Sequence, residues 1–274
     1  MHRTHHEIAQ AVIRALETYL QVVGPQALTW YSDMNGGMQE LDGKSWERIR
    51  TELLTEHRCY FLLRDGPGGV GEFQFEYYGK LLEKPTLIEQ NNQTCAVSFW
   101  LSTEYLEKHG PTHVRELALA IATPLPFTSG HAGLSFNAFI DLPGVSREIR
   151  RQCFRYPGLD IIELGNLSGE LGTRVKSASW LTFLGQPVLD GLGGVTGLRS
   201  SLKSPSTFVQ AFDAERVVVT LGQFPEAGDT EQGYNLSHYR ELAFILEPWL
   251  YQQQLRFRDF TEAETRHWER RFLD

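Results

Sequence analysis

Several short stretches of this chain carry the residue types that hold phosphates, metals or nucleophiles. Gly66-Pro67-Gly68-Gly69-Val70-Gly71 spells G-x-G-x-x-G, the pattern that wraps a pyrophosphate when it opens a helix N-terminus. The next residues, Glu72 to Tyr78, alternate as a strand does, so a hairpin loop is expected. Gly191-Leu192-Gly193-Gly194-Val195-Thr196-Gly197 lacks the Lys-Ser/Thr pair of a nucleotide-binding loop and reads as a helix entry with close backbone approach. Ser129 to Asn137 approaches a serine nucleophile elbow, but Asn137 replaces the closing glycine and Ser135 is expected inside a strand. His2, His5, His6 and Glu7 cluster in sequence as metal ligands would, at a terminus expected to be flexible and solvated. His109 and His113 have helical i, i+4 spacing, yet Gly110-Pro111 interrupts the helix and no Glu comes after His109.

Charged groups give the remaining candidates. Asp160 and Glu163 are spaced for acid–base work but lack a partner motif, so a solvated face is expected. Arg147, Arg150, Arg151 and Arg155 give 145–155 a basic face, which alone reads as solvent-exposed charge. No catalytic residue, metal ligand or cofactor-binding residue is therefore assigned. Composition agrees with a binding role for protein rather than nucleic acid. The 274 residues carry a formal net charge of -8, which disfavours phosphate backbones and suits a basic partner. Three cysteines, Cys59, Cys95 and Cys153, are too few and too scattered for a disulfide framework. Glu7, Arg14 and Glu17 interrupt any signal-peptide core, and no run reaches the roughly 20 apolar residues of a membrane span. A cytoplasmic location is expected.

The elements that must position these residues are set by periodicity. Ile8, Val12, Ala15, Leu16, Tyr19 and Val23 predict an amphipathic helix ended by Gly24-Pro25. Residues 27–31 predict a strand, Asn35-Gly36-Gly37 a turn, and Ser45 the cap of a second helix. Residues 59–63 and 72–77 predict a hairpin, and 94–101 a further strand. Ser102 or Thr103 caps the next helix, which Gly110 stops before Pro111 starts another. A long strand is expected over 130–140, a basic helix over 145–155 and a strand over 175–184 around Trp180. A short helix over 195–202, strands over 207–212 and 216–221, and a helix from Ser237 to Pro248 come next. Thr261 and Glu264 predict a capping box for the last helix, about 261–273.

The order strand, helix, strand, strand occurs at 27–78 and again at 175–221. It predicts an α+β fold, a single domain over 1–274 with pseudo-duplicated halves at about 1–140 and 141–250, and mostly antiparallel pairing flanked by helices. Trp30, Phe61, Phe75, Phe99, Leu117, Phe136, Trp180, Phe183 and Val218 are its expected core.

Three stretches add a resemblance: Gly71 to Lys80 (GEFQFEYYGK), Trp100 to Phe136, and Ala178 to Gly185 (ASWLTFLG), with weaker echoes in 222–236 and 239–248. In the order of their aromatic and Gly/Pro landmarks they resemble the TsiV-type immunity family of bacterial type VI secretion systems. That resemblance implies a protein that binds and silences a co-inherited toxin, notably one with a VRR-type nuclease domain acting in the cytoplasm. It brings no catalytic residues with it. A nuclease attracts DNA with a basic cleft, so an inhibitor gains by presenting carboxylates there. The acidic loop residues expected to do so are Asp33, Glu40 and Asp42 around Gly36-Gly37, and Glu226, Asp229 and Glu231 around Gly228. Two other functions fit the sequence: a small-molecule enzyme with an unrecognised pocket, and a general protein-interaction module.

Overall fold

A computed structural model of the chain describes residues 1–33, 36–82, 92–253 and 257–274. Asn35 of the expected 35–37 turn lies outside them. In chain order the elements are α1 (His5–Val23), β1 (Trp30–Ser32), β2 (Met38–Glu40), α2 (Gly43–Thr55), β3 (Cys59–Arg64), β4 (Gln74–Gly79), β5 (Ala96–Trp100), α3 (Thr103–Ala122) and β6 (Ser129–Ala132). They continue as α4 (Val145–Cys153), α5 (Leu164–Glu170), β7 (Leu181–Leu184), α6 (Val188–Gly191), α7 (Gly194–Ser201), β8 (Thr207–Ala211), β9 (Val217–Leu221), α8 (Ser237–Leu246) and α9 (Glu262–Glu269). The α+β class and the antiparallel pairing expected from the sequence are observed. Two compact units result, Met1–Pro126 with Glu163–Gly172, and Phe127–Ile162 with Thr173–Asp274. Neither is one continuous segment of chain.

In the first unit the strand order is β2-β1-β3-β4-β5, every pair antiparallel. Period-2 alternation sets the register. Leu63, Phe75 and Phe99 stand opposite one another across three strands, as do Phe61, Tyr77 and Val97. The apolar stripe of α1 meets this face. Tyr19 packs on Phe99 with ring centroids 5.3 Å apart and donates its hydroxyl to the Trp100 carbonyl at 2.6 Å. Two local expectations are corrected in this unit. The cap of α2 is Asp42, whose carboxylate accepts from Ser45 N at 2.7 Å, because an ionised acceptor at a helix start beats a hydroxyl three residues further in. The N-terminus is packed rather than solvated: Thr4 N donates to Glu7, and His5, fully buried, bonds the Tyr77 hydroxyl at 2.8 Å.

The first unit also explains two glycine signals. Gly66 to Gly71 joins β3 to β4 as an antiparallel hairpin loop. Asp65 organises it by accepting from Glu72 N at 2.7 Å and Phe73 N at 3.2 Å, and a Cβ at Gly71 would collide with that carboxylate. In α3 the chain kinks at Gly110, φ 80°, and Pro111 restarts the helix as the sequence predicts.

In the second unit the order is β6-β7-β9-β8, again antiparallel throughout. The central strands β7 and β9 are buried at every position, which explains their unbroken apolar runs. The expected strand over 175–184 shrinks to Leu181–Leu184 because Ser179 and Thr182 bond each other across the turn before it. Ser179 N donates to the Thr182 hydroxyl at 3.0 Å and that hydroxyl donates back to the Ser179 carbonyl. Its partner ends there too: β6 stops at Ala132, opposite Leu181, and the expected 130–140 strand retains beyond it only a parallel bridge from Ser135 to Asp160. The repeated element order gives different neighbours in the two units, β1-β3-β4 in one and β7-β9-β8 in the other. Beside the second sheet, Ile140, Ile149, Cys153, Ile161, Phe257, Phe260 and Trp268 form a core under α4 and α9.

Of the expected core residues, Phe61, Phe75, Leu117, Trp180, Phe183 and Val218 are buried, whereas Trp30, Phe99 and Phe136 are half-buried. Trp180 is 2% exposed, and its indole N–H meets no acceptor among the described residues. Trp180→Ala should cost about 3–5 kcal/mol. Trp180→Phe should cost markedly less, since it also removes an unpaired buried donor. Urea unfolding of both variants checks this.

Candidate functional site

The six acidic residues singled out in the sequence divide by what already holds them. In the first unit, Asp33 closes its turn by accepting from Gly37 N at 2.8 Å, and Asp42 caps α2. Glu40 ends the edge strand β2 and is exposed. In the second unit, Asp229 is 7% exposed and clamped by Arg155, Nε to Oδ1 at 3.1 Å and Nη2 to Oδ2 at 2.9 Å. That bidentate bond holds the Asp229 carboxyl below the usual range. Glu231 pairs the third guanidinium nitrogen at 2.8 Å but stays largely in solvent. Glu226 is exposed and lies 3.4 Å from His238 Nε2. Glu40, Glu226 and Glu231 therefore present charge outward, and Asp33, Asp42 and Asp229 shape the loops that carry them.

Asp160, expected from the sequence on a solvated face, is instead buried at the centre of a charge cluster of the second unit that sequence reasoning missed. The Asp160 carboxylate is buried, with Oδ1 accepting from Lys176 Nζ at 2.9 Å, Arg271 Nη2 at 3.2 Å and its own neighbour's backbone, Ile161 N, at 2.9 Å. Oδ2 faces His131 Nε2 at 3.4 Å and has no hydrogen bond among the described residues. Burial opposes ionisation of Asp160, and Lys176, Arg271 and His131 together reverse that, holding the carboxyl well below the usual range. Burial likewise pushes the His131 imidazole down. Asp160 resists that shift, and Lys176 and Arg271 add to it. Arg271 also stacks 3.8 Å over the Trp268 ring and donates to the Pro157 carbonyl at 2.8 Å. No motif spacing links these four residues. The one available signal was an acid inside the apolar run Leu159 to Ile162.

An Asp–His pair is general-base chemistry when a substrate proton reaches it. Here the carboxylate is saturated on one oxygen by two cations and 4% exposed, so its work is to tie β6, the approach to β7 and the segment after α9 together. Glu163, the acid that the sequence spacing pairs with it, belongs to the first unit. The cysteines offer no nucleophile either. All three are free thiols, and burial pushes Cys59 and Cys153 up to about 12.

The remaining chemistry-bearing motifs serve the fold. No helix starts directly after Ser135, the next being α4 at Val145, and Ser129 donates to the Arg174 carbonyl at 2.6 Å. Residues 191–197 join α6 to α7. Tyr105 stacks on His109 and shares a 2.9 Å hydrogen bond with His113. Among the described residues no group of three or more His, Cys, Asp or Glu is placed to hold a metal ion, and no helix is long and apolar enough to cross a membrane. The basic face of α4 lines an open depression of about 700 Å³ with Arg147, Arg150, Arg151 and Phe154. Two of its arginines are neutralised, Arg150 by Glu264 at 2.9 Å and Arg151 by Glu148 at 2.6 Å.

The buried cluster sets a pH dependence. His131 titrates lower in the fold than in the unfolded chain, so the unfolded chain takes the proton first. Stability should fall as pH drops below about 6.5. Asp160, also depressed, adds a further loss below about pH 4. Chemical denaturation from pH 8 to pH 3 should show both phases, with His131→Gln shrinking the upper one, to which the buried His5, also pushed down by burial, contributes the rest. Asp160→Ala, which strands two buried cations, should cost about 3–5 kcal/mol at pH 7.

No curated protein matches the chain. Among solved structures, the T6SS protein PA0821 of Pseudomonas aeruginosa is similar in fold, with a TM-score of 0.79 at 20% sequence identity, covering 97% of this chain and 79% of that one. The model of the TsiV family, described as type VI immunity for VRR-NUC, matches residues 11–272. With that match spanning both units, the chain belongs to the TsiV family of type VI immunity proteins.

Proposed function

We propose that this immunity protein acts by stoichiometric binding, without catalysis, and that it does so in the cytoplasm of the cell that makes it. The partner is a VRR-NUC effector of a type VI secretion system, in keeping with the family. The family match across residues 11–272 carries the reading. Supporting it, Asp160, the acid that the sequence offers for acid–base work, is engaged in holding the fold. A nuclease that cleaves DNA does its damage where the DNA is, so its inhibitor acts from the cytoplasm.

Electrostatics supports a role for the outward carboxylates. Glu40, Glu226 and Glu231 stand in solvent on an acidic chain, and the DNA cleft of a nuclease is basic. In this reading Glu226 and Glu231 of the second unit meet that cleft and accelerate encounter, while Asp229 fixes the shape of their loop. Rim charges act mainly on the association rate. Glu226→Lys with Glu231→Lys should therefore slow association about tenfold at low salt and flatten its salt dependence, as read by stopped-flow mixing with the nuclease domain. An unchanged rate and salt slope would remove this loop from the encounter.

Co-expression tests the reading as a whole. Cells producing the VRR-NUC domain in the cytoplasm should survive when the native chain is co-produced and die when the same chain is exported to the periplasm. Equal protection by the exported form would refute the cytoplasmic site of action. Failure of the native form to protect would refute the inhibitor reading.

A further inference from the structure

The second unit leaves large aromatic side chains in solvent where its own core has no use for them. In the sheet β6-β7-β9-β8, β7 and β9 are buried throughout, yet Phe208 on the edge strand β8 is 58% exposed. On α8 the buried stripe is Tyr239, Leu242, Ala243 and Leu246, and Phe244 lies off it, 54% exposed. Phe224, just beyond β9, is 57% exposed. Exposed apolar clusters on soluble proteins mark interaction sites, and aromatic anchors dominate binding energy at interfaces.

Backbone and side-chain bonds bring the segments that carry these three to one junction. Gly222 N donates to the Ser206 carbonyl at 2.9 Å, which sets the start of β8 beside the end of β9. Glu241 of α8 accepts from Lys203 N at 2.6 Å and Ser204 N at 3.1 Å, which docks the helix on the segment leading into β8. Glu226 N meets the Tyr239 hydroxyl at 3.4 Å, and the Glu226 carboxylate meets His238. Phe208 and Phe224 each lie two residues, and Phe244 three, from a residue of this junction. The strand edge itself is blunted, because Arg199 donates to the Val209 carbonyl at 3.1 Å. A partner here is engaged through side chains rather than by adding a strand.

We infer that the aromatic side chains Phe208, Phe224 and Phe244, with the exposed carboxylate of Glu226, form the surface on which the VRR-NUC domain of the cognate effector docks. The inference rests on the immunity reading and names its surface. Charge selects the occupant. An aromatic surface bordered by an exposed acid on an acidic chain is complementary to the basic, DNA-binding face of a nuclease, whereas a second acidic copy of this chain would be repelled. An apolar centre with a charged border is the general anatomy of a specific interface.

Binding of the purified VRR-NUC domain to the full chain, measured by calorimetry, tests this. Phe208→Ser, Phe224→Ser, Phe244→Ser and the triple variant are compared with Leu54→Ser and Tyr60→Ser, exposed apolar positions of the first unit. At least one single variant should weaken binding about 30-fold or more and the triple variant more still, with the first-unit variants within about threefold of wild type. The three phenylalanine side chains are more than half exposed, so thermal unfolding of their variants should be unchanged; if the triple variant unfolds, the singles decide. Wild-type affinity in every Phe variant would overturn the surface assignment and leave the immunity reading standing. A self-association of the wild type lost in the triple variant, with effector affinity intact, would assign the surface to a homodimer and overturn the inference. No binding by wild type would overturn the immunity reading along with it.

Discussion

A buried carboxylate stays ionised only when cations or hydrogen-bond donors meet it, and Asp160 imposes that condition on the second unit by drawing two buried cations to it. Its two cations come from distant places in the sequence, Lys176 before β7 and Arg271 beyond α9. For Arg271 to arrive, α9 must start correctly, which the Thr261–Glu264 capping box secures, and must seat Trp268 and Phe272 in the apolar interior. The arginine then lies on the Trp268 ring it travels with. One side chain thus couples the end of the chain to the middle strands. An apolar replacement of comparable size would relax that coupling, because it has no preference for where Lys176 and Arg271 go.

Much of the local architecture is legible in the residues. Period-3.6 spacing gives α1, alternation gives the β3–β4 hairpin, and the 261–264 box gives α9. The G-x-G-x-x-G letters read as a turn because a strand comes directly after them, and a turn they are. Illegible parts share a physical cause: bonds that leave no mark on the apolar pattern, or partners remote in sequence, decide them. The strands expected over 130–140 and 175–184 exceed the observed ones because the Ser179–Thr182 bonds that end the ladder leave the apolar pattern untouched. The histidine-rich start looks solvated in sequence because its partner, Tyr77, is 72 residues away from His5. β2, three residues at a sheet edge, and the short α5 carry too little periodicity to be seen.

The candidate surface is legible only in part. Composition and landmark residues point to a binding protein, and acidic loops are a sound place to look. Sequence does not say which acids are free, because Asp229 and Glu231 differ by two positions and one is clamped while the other is solvated. Nor does it say which phenylalanines are left over once the core is full. Phe183 and Phe208 sit in strands of the same sheet and meet opposite fates. The division of labour that results is simple. Charges that could do chemistry are consumed in holding the second unit together, and the side chains left in solvent are suited to another protein.

Stoichiometry tests that account most directly. With a fixed concentration of the VRR-NUC domain cleaving DNA, increasing amounts of this protein should remove activity linearly to an end point at a fixed molar ratio, at once and independently of preincubation time. Inactivation by a small fraction of an equivalent, growing with time and leaving an altered nuclease behind, would show an enzyme at work and contradict an inhibitor that acts by occupying its partner's surface.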